Sequence, residues 1–200
     1  MKNIKLLTYV KVVCFLLLLI VAVKYPTNSF DKIIADLIEI KLLGSLAKII
    51  SLIFNDKLLL IVMILLSVFL AWIKELPKAV FMFFTAGFGG LLLTVVKYSV
   101  QRVRPLPDVH DGFSFPSGHS TFVILFFLAL AFVINKKNLV RVIGIFAIIL
   151  VPISRLILGA HFLTDVVAGL LLGSIIVDLM KIYYIDIYNI LMGVMGRKNE

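Results

Sequence analysis

Residues Pro116–Ile134 read PSGHSTFVILFFLALAFVI: a proline, a serine, a glycine and a histidine open a run that contains no Asp, Glu, Lys or Arg. From Ser117 to Ile134 such a run reaches about 27 Å as a helix, close to the hydrocarbon thickness of a bilayer. Ser117 is suited to cap that helix, and Gly118 lets an anion approach the backbone. The helix start itself presents N–H groups and partial positive charge. Ionisable residues at a membrane boundary are costly to keep there, so His119 at the head of a span points to function.

The same apolar texture recurs on both sides. Leu6–Val23, Leu58–Ile73, Ala79–Val96, Leu139–Ile157 and Phe162–Met180 join Ser117–Ile134 as candidate spans, six in all. Lys11, inside the first, is expected to reach toward the nearer interface. The chain is 62% hydrophobic with mean hydropathy +1.14, more than a soluble domain of 200 residues can hide. The fold class expected is therefore all-α and membrane-embedded, with residues 1–200 forming one polytopic domain. Residues 31–54 differ from the spans. Lys32, Asp36 and Glu39 share one helical face while Ile33, Ile34, Leu37, Ile38 and Leu42 fill the other, a pattern suited to lying in the interface between the first and second spans. Gly44 is placed to divide it into two short helices. Lys2 and Lys5 before the first run resemble a signal peptide, but no small-residue cleavage site follows, so an uncleaved span is the better reading.

The net charge of +9 would suggest nucleic acid in a soluble chain. Here lysines flank spans and meet anionic lipid head groups, and no basic helix or RNA-binding aromatic pattern is present, so nucleic acid is not expected as a partner. Cys14 is the only cysteine and cannot form an intrachain disulfide. With the N-terminus inside, cytoplasmic segments carry Lys2, Lys5, Lys74, Lys78, Lys136, Lys137, Arg141, Lys181, Arg197 and Lys198, while the other side holds Lys24, Lys32, Lys41, Lys48 and Lys57. That other side also holds the cations of the polar stretches described below; with those set aside as functional, the modest bias favours both termini in the cytoplasm.

Two more polar stretches accompany the first. Lys97 to Pro105, KYSVQRVRP, leaves the span before Pro116; Ser154-Arg155, with His161 and Asp165 beyond, lies between the last two spans. One span leaves and the next returns between the second and third stretches, so all three meet at one membrane face, the outer one by the charge bias. A phosphoryl group carries negative charge that spreads over its equatorial oxygens during transfer, and fixed cations and N–H donors stabilise it. Lys97, Arg104 and Arg155 suit that task, Arg as a fork and Lys as a point charge. Taken alone, Lys97 and Arg102 would read as interfacial anchors. His119 as imidazolium can protonate a departing alkoxide. His161 and Asp165, four apart, share a helical face; an acceptor at one ring nitrogen fixes the tautomer and frees the other to attack. Thr164 and Asp165 would serve equally as an N-terminal cap. His110, between Asp108 and Asp111, fits no zinc-ligand spacing and reads as a polar loop residue.

Lys97-x6-Arg104-Pro105, Pro116-Ser117-Gly118-His119 and Ser154-Arg155-x5-His161-x3-Asp165 together resemble the three-part signature of the type 2 phosphatidic acid phosphatase superfamily, across residues 97–165. That superfamily takes in bacterial phosphatidylglycerophosphatase B, undecaprenyl pyrophosphate phosphatases, glucose-6-phosphatase and vanadium haloperoxidases. The resemblance implies His161 as nucleophile of a phosphohistidine, Asp165 as its orienter and His119 as general acid. It implies Lys97, Arg104 and Arg155, with Ser117 and Gly118, as holders of the phosphoryl oxygens, and neither metal nor cofactor. The expected activity is hydrolysis of the terminal phosphate of undecaprenyl pyrophosphate or phosphatidylglycerophosphate, with the isoprenoid lipid preferred because its carrier is recycled outside the cell. Two alternatives stand beside it: a non-hydrolytic phospholipid-binding or transport protein, and a metal-dependent hydrolase built on the histidines.

Overall fold

The structure, a computed structural model, describes residues 5–38, 43–134 and 137–194. Eight helices run through them: α1 (Leu6–Lys24), α2 (Ser29–Ile38), α3 (Gly44–Ile53), α4 (Asp56–Trp72), α5 (Leu76–Val100), α6 (Gly118–Val133), α7 (Lys137–Ile157) and α8 (Leu163–Val194). Five helical segments are long and apolar enough to cross a bilayer: α1, α3 with α4, α5, α7 and α8; α6 is the shorter sixth. The six expected spans correspond to α1, α4, α5, α6, α7 and α8, so the protein is an all-helical, multi-pass membrane protein. Large apolar side chains stand exposed along α1, α4 and α7, among them Leu17, Leu65, Val68, Leu139 and Phe146, as the lipid-facing rim of such a bundle requires.

The core lies where α6 and α8 meet, with α5 and α1 packed against α8 and α7 against α6. Gly169 and Gly173 bring α8 against α6. A methyl group on Gly169 would stand 2.6 Å from the Ser117 carbonyl oxygen, and one on Gly173 would stand 2.5 Å from that of Thr121. The small α8 face therefore lets the starts of α6 and α8 converge, and the Ser117 N–H donates to the Asp165 carbonyl at 3.0 Å.

Three features add to the expected layout. Within residues 31–54 the expected division at Gly44 is present, and the two short helices have different neighbours. α2 lies beside α7 and α8, whereas α3 continues toward α4 through a break at Phe54 and Asn55, where the Asn55 side chain caps α4. Glu39 and Leu42 of the expected pattern lie outside the described residues. α8 extends to Val194, about 48 Å, well past the expected end of the span at Met180. Lys11, expected to reach toward the nearer interface, is paired: its ammonium meets Asp178 of α8 at 2.6 Å, and the Thr8 hydroxyl donates to the same oxygen at 3.0 Å. A membrane-embedded cation is cheaper paired than stretched.

Candidate active site

The C-termini of α5 and α7 and the N-termini of α6 and α8 come together at one end of the bundle, and all the residues expected at the site lie there. α5 ends because Gln101 takes the left-handed conformation, φ 51°. The loop from there to Ser117 folds back over the bundle end. Lys97, in the last turn of α5, holds that loop by donating to the carbonyls of Phe113 at 2.8 Å and Pro116 at 3.0 Å.

Arg104 reaches from the same loop. Its Nε donates to the carbonyls of Asp111 (2.9 Å) and Gly112 (3.2 Å), and one terminal nitrogen donates to that of Ala160 (2.8 Å). Burial draws its guanidinium below the usual range, opposed by Asp165, Asp56 and Asp111. The nitrogen on Ala160 also stands 3.2 Å from Nε2 of His161. A guanidinium only donates, so Nε2 must accept and carry a lone pair, which puts the ring proton of neutral His161 on Nδ1. Nδ1 has no hydrogen-bond partner among the described residues and faces Oδ2 of Asp165 at 3.7 Å. That is ion-pair range, longer than a formed bond. His161 is buried, and burial lowers its pKa, with Asp165 opposing and Arg104 and Arg155 adding to the shift. Its resting form is therefore the neutral imidazole.

Asp165 is anchored on both oxygens. Oδ2 accepts the Phe162 N–H at 2.8 Å and Oδ1 accepts from Arg102 at 2.6 Å. Arg102 is one of two large departures from the sequence reading. It is no interfacial anchor but fully enclosed, held also by Thr164 and Asp31 and set 4.4 Å over the Phe162 ring. Asp31, read as part of an interfacial segment, is the other: its side chain has no exposure.

Across the site Ser117 caps α6, its hydroxyl accepting from the Ser120 amide at 3.4 Å and the Ser120 hydroxyl at 3.1 Å. His119 follows in the first turn. Its Nε2 lies 3.2 Å from the Ser51 carbonyl, an acceptor, so Nε2 carries a proton and Nδ1 turns to Asp56 at 3.8 Å. Arg155 donates to the Ser51 hydroxyl, while its buried Nε has no partner among the described residues. Asp56, at the start of α4, presses its carboxylate against Gly118, where a side-chain carbon would collide with it. The N-terminus of α6 thus already attracts a carboxylate, the anion that a helix start favours. Asp56 and Ser51 carried no signal in the sequence beyond being polar residues in apolar surroundings. His110 bonds the Leu158 carbonyl at 2.8 Å and braces the loop. A cavity of about 400 Å³ opens beside Arg104 and His161, walled by Thr27, Asp31, Lys32 and Ala35 of the α2 region and by Leu156 and Ile157 of α7.

Helices that cross a bilayer and gather two histidines, three cations and a helix N-terminus at one end define a membrane-embedded enzyme for an anionic group. Residues 78–187 match the model of the PAP2 superfamily, and the chain belongs to that superfamily. It is 35% identical to phosphatidylglycerophosphatase B of Bacillus subtilis strain 168 over 86% of this chain and 94% of the relative. It is 36% identical to a lipid A 1-phosphatase of Rhizobium johnstonii over 54% of this chain and 46% of that protein. The crystal structure of a transmembrane PAP2-type phosphatidylglycerolphosphate phosphatase from Bacillus subtilis superposes with a TM-score of 0.77 at 28% identity, covering 87% of this chain and 94% of the other. The protein is accordingly a membrane phosphatase, a hydrolase of phosphoric esters.

Proposed function

We propose that the protein removes the terminal phosphate of a membrane lipid at the extracytoplasmic face through a phosphohistidine on His161. The observation that carries this reading is the contact between Arg104 and Nε2 of His161, which leaves the lone pair of Nε2 facing a phosphate-binding cation. Nε2 attacks phosphorus as the bond to the lipid oxygen breaks, and His119 gives that oxygen its proton. Water then attacks the phosphohistidine and passes a proton to His119, the N–P bond breaks, and inorganic phosphate leaves. Lys97, Arg104, Arg155 and the first-turn amides at Gly118 hold the equatorial oxygens, with the Ser117 cap fixing that turn. Asp165 keeps the proton of His161 on Nδ1 and stabilises the cation that forms there.

The near full-length relative favours phosphatidylglycerophosphate as substrate, ahead of the undecaprenyl pyrophosphate that carrier recycling outside the cell put first. Lysine and arginine placement supports the outward face. The relatives named as phosphatases favour hydrolysis over binding or transport alone. The test is phosphate release from phosphatidylglycerophosphate, undecaprenyl pyrophosphate and phosphatidic acid, each with excess chelator. Release from at least one of them with chelator present, led by phosphatidylglycerophosphate, is expected. Release that stops with chelator would overturn the histidine mechanism, and a clear lead by undecaprenyl pyrophosphate would overturn the substrate order.

A further inference from the structure

Arg102 and Asp31 belong to none of the three motif patterns, yet they form the most heavily bonded polar node of the site. The guanidinium gives Nε to the Pro26 carbonyl (3.0 Å), one terminal nitrogen to Oδ1 of Asp165 and the Thr164 hydroxyl (both 2.6 Å), and the other to Oδ2 of Asp31 (2.7 Å). Asp31 is bonded just as fully. Oδ2 also accepts from the Thr164 hydroxyl (2.6 Å) and the Asn28 amide (2.8 Å), and Oδ1 accepts the Thr164 N–H (3.1 Å). Both side chains are closed off from solvent. Solvent-facing anchors have no such partners. A buried ion pair is retained at a cost in desolvation, so its bonds identify what it serves.

Those bonds lead in two directions. Inward, Arg102 takes Oδ1 of Asp165 and the Phe162 amide takes Oδ2, so the carboxylate cannot rotate and only the Oδ2 edge faces Nδ1 of His161. Outward, Asp31 stands in the first turn of α2 and lines the cavity with Thr27, Lys32, Arg104 and His161. One guanidinium therefore ties the wall of the substrate cavity to the carboxylate that orients the attacking imidazole. We propose that Arg102 and Asp31 are positioning residues of the reaction, acting through Asp165 on His161 and coupling the seating of α2 to the aim of the nucleophile. This rests on the reading of His161 as nucleophile.

The test uses the full chain purified in detergent, with kcat and KM for phosphate release and a thermal melt for each variant. Asp31→Asn keeps the size and removes the charge. Arg102→Lys keeps the charge and replaces the fork by a point donor. Each is expected to lower kcat about 10- to 100-fold, the loss typical when the outer partner of an oriented histidine goes, with KM changed less than about threefold and the melt retained. Asp31→Asn added to Asp165→Asn is expected to cost less than about threefold more, because its route is already cut. A full additive loss in that double variant, or a rise in KM with kcat unchanged, would overturn the proposal. If Asp31→Asn does not fold, Arg102→Lys alone and in the Asp165→Asn background decides on the same criteria. His161→Ala run alongside separates the two readings: an active His161→Ala enzyme removes the nucleophile assignment itself, whereas an inactive one with unaltered Arg102 and Asp31 variants removes only this proposal.

Discussion

The two halves of the site are built in opposite ways. The two imidazoles are held at similar distances, 3.2 and 3.7 Å for His161 and 3.2 and 3.8 Å for His119. Behind His161, however, Asp165, Arg102 and Asp31 are enclosed and joined by bonds of 2.6–2.8 Å. Behind His119 the groups are wetter and less fully bonded. His119 is 3.2 Å from a carbonyl and 3.8 Å from Asp56, whose side chain is 27% exposed, and Arg155 keeps an unpartnered Nε. On the roles proposed for them, the difference follows from what each half must do. A nucleophile gains from being aimed before substrate arrives, because an aim already fixed needs no reordering in the transition state. A cation cluster and a proton donor must accept an incoming phosphoryl group and release an outgoing lipid, so their last partners are left for the substrate to provide.

The largest break in that comparison is removal of the aimed group. His161→Ala is expected to lose phosphate release by a factor on the order of 10³ or more while the fold persists. The imidazole has two polar contacts, to Arg104 and Asp165, and the Asp165 anchors do not depend on it. A colorimetric phosphate assay beside a thermal melt checks this, and turnover within tenfold of the parent would take the nucleophile role from His161.

Much of this asymmetry was readable beforehand, and only in part. The six apolar runs and the three polar stretches located the bundle and one end of it, because hydropathy and short-range spacing are local properties. Asp31 was not readable. It joins Thr164 from 133 positions away, and an Asp beside Lys32 on an amphipathic pattern looks like a wet face. Arg102 looked like a snorkelling anchor because its partners come from α2 and the start of α8, which only the tertiary fold brings together. The pairing of Lys11 with Asp178 was hidden for the same reason: the two charges lie in separate spans and meet only when α1 lies against α8. One signal was available for all four. A charge within or beside apolar sequence demands a partner, and pairing the unassigned Asp and Arg residues first would have narrowed the search.

The next break falls on the looser half. His119→Ala is expected to lower kcat about 10²- to 10⁴-fold on a lipid substrate, whose alkoxide leaves poorly without a proton. The loss on p-nitrophenyl phosphate should be smaller, since that leaving group departs as a stable phenolate. With the base for the second step also missing, labelled phosphoryl enzyme should then accumulate and survive an alkaline quench. Equal losses on the two substrates with no trapped label would show that His119 does not carry the proton.

The smallest and sharpest effect is a shift along the pH axis. Burial lowers the pKa of His161, and Asp165 is the main influence opposing it. Protonation at Nε2 removes the attacking lone pair, so activity should be lost only as pH falls below the ordinary imidazole value of about 6.5. The acidic limb of kcat/KM is therefore expected below that value. Replacing Asp165 by Asn removes the influence that raises the pKa, so the limb should move further toward acid even as the rate falls. The rate loss alone would follow from any damage near His161; the direction of the shift would not. An acidic limb that stayed in place or moved toward neutral in Asp165→Asn would mean that the 3.7 Å approach of Nδ1 to the carboxylate does not tune the imidazole, and that the well-bonded half of the site holds its shape without governing the proton.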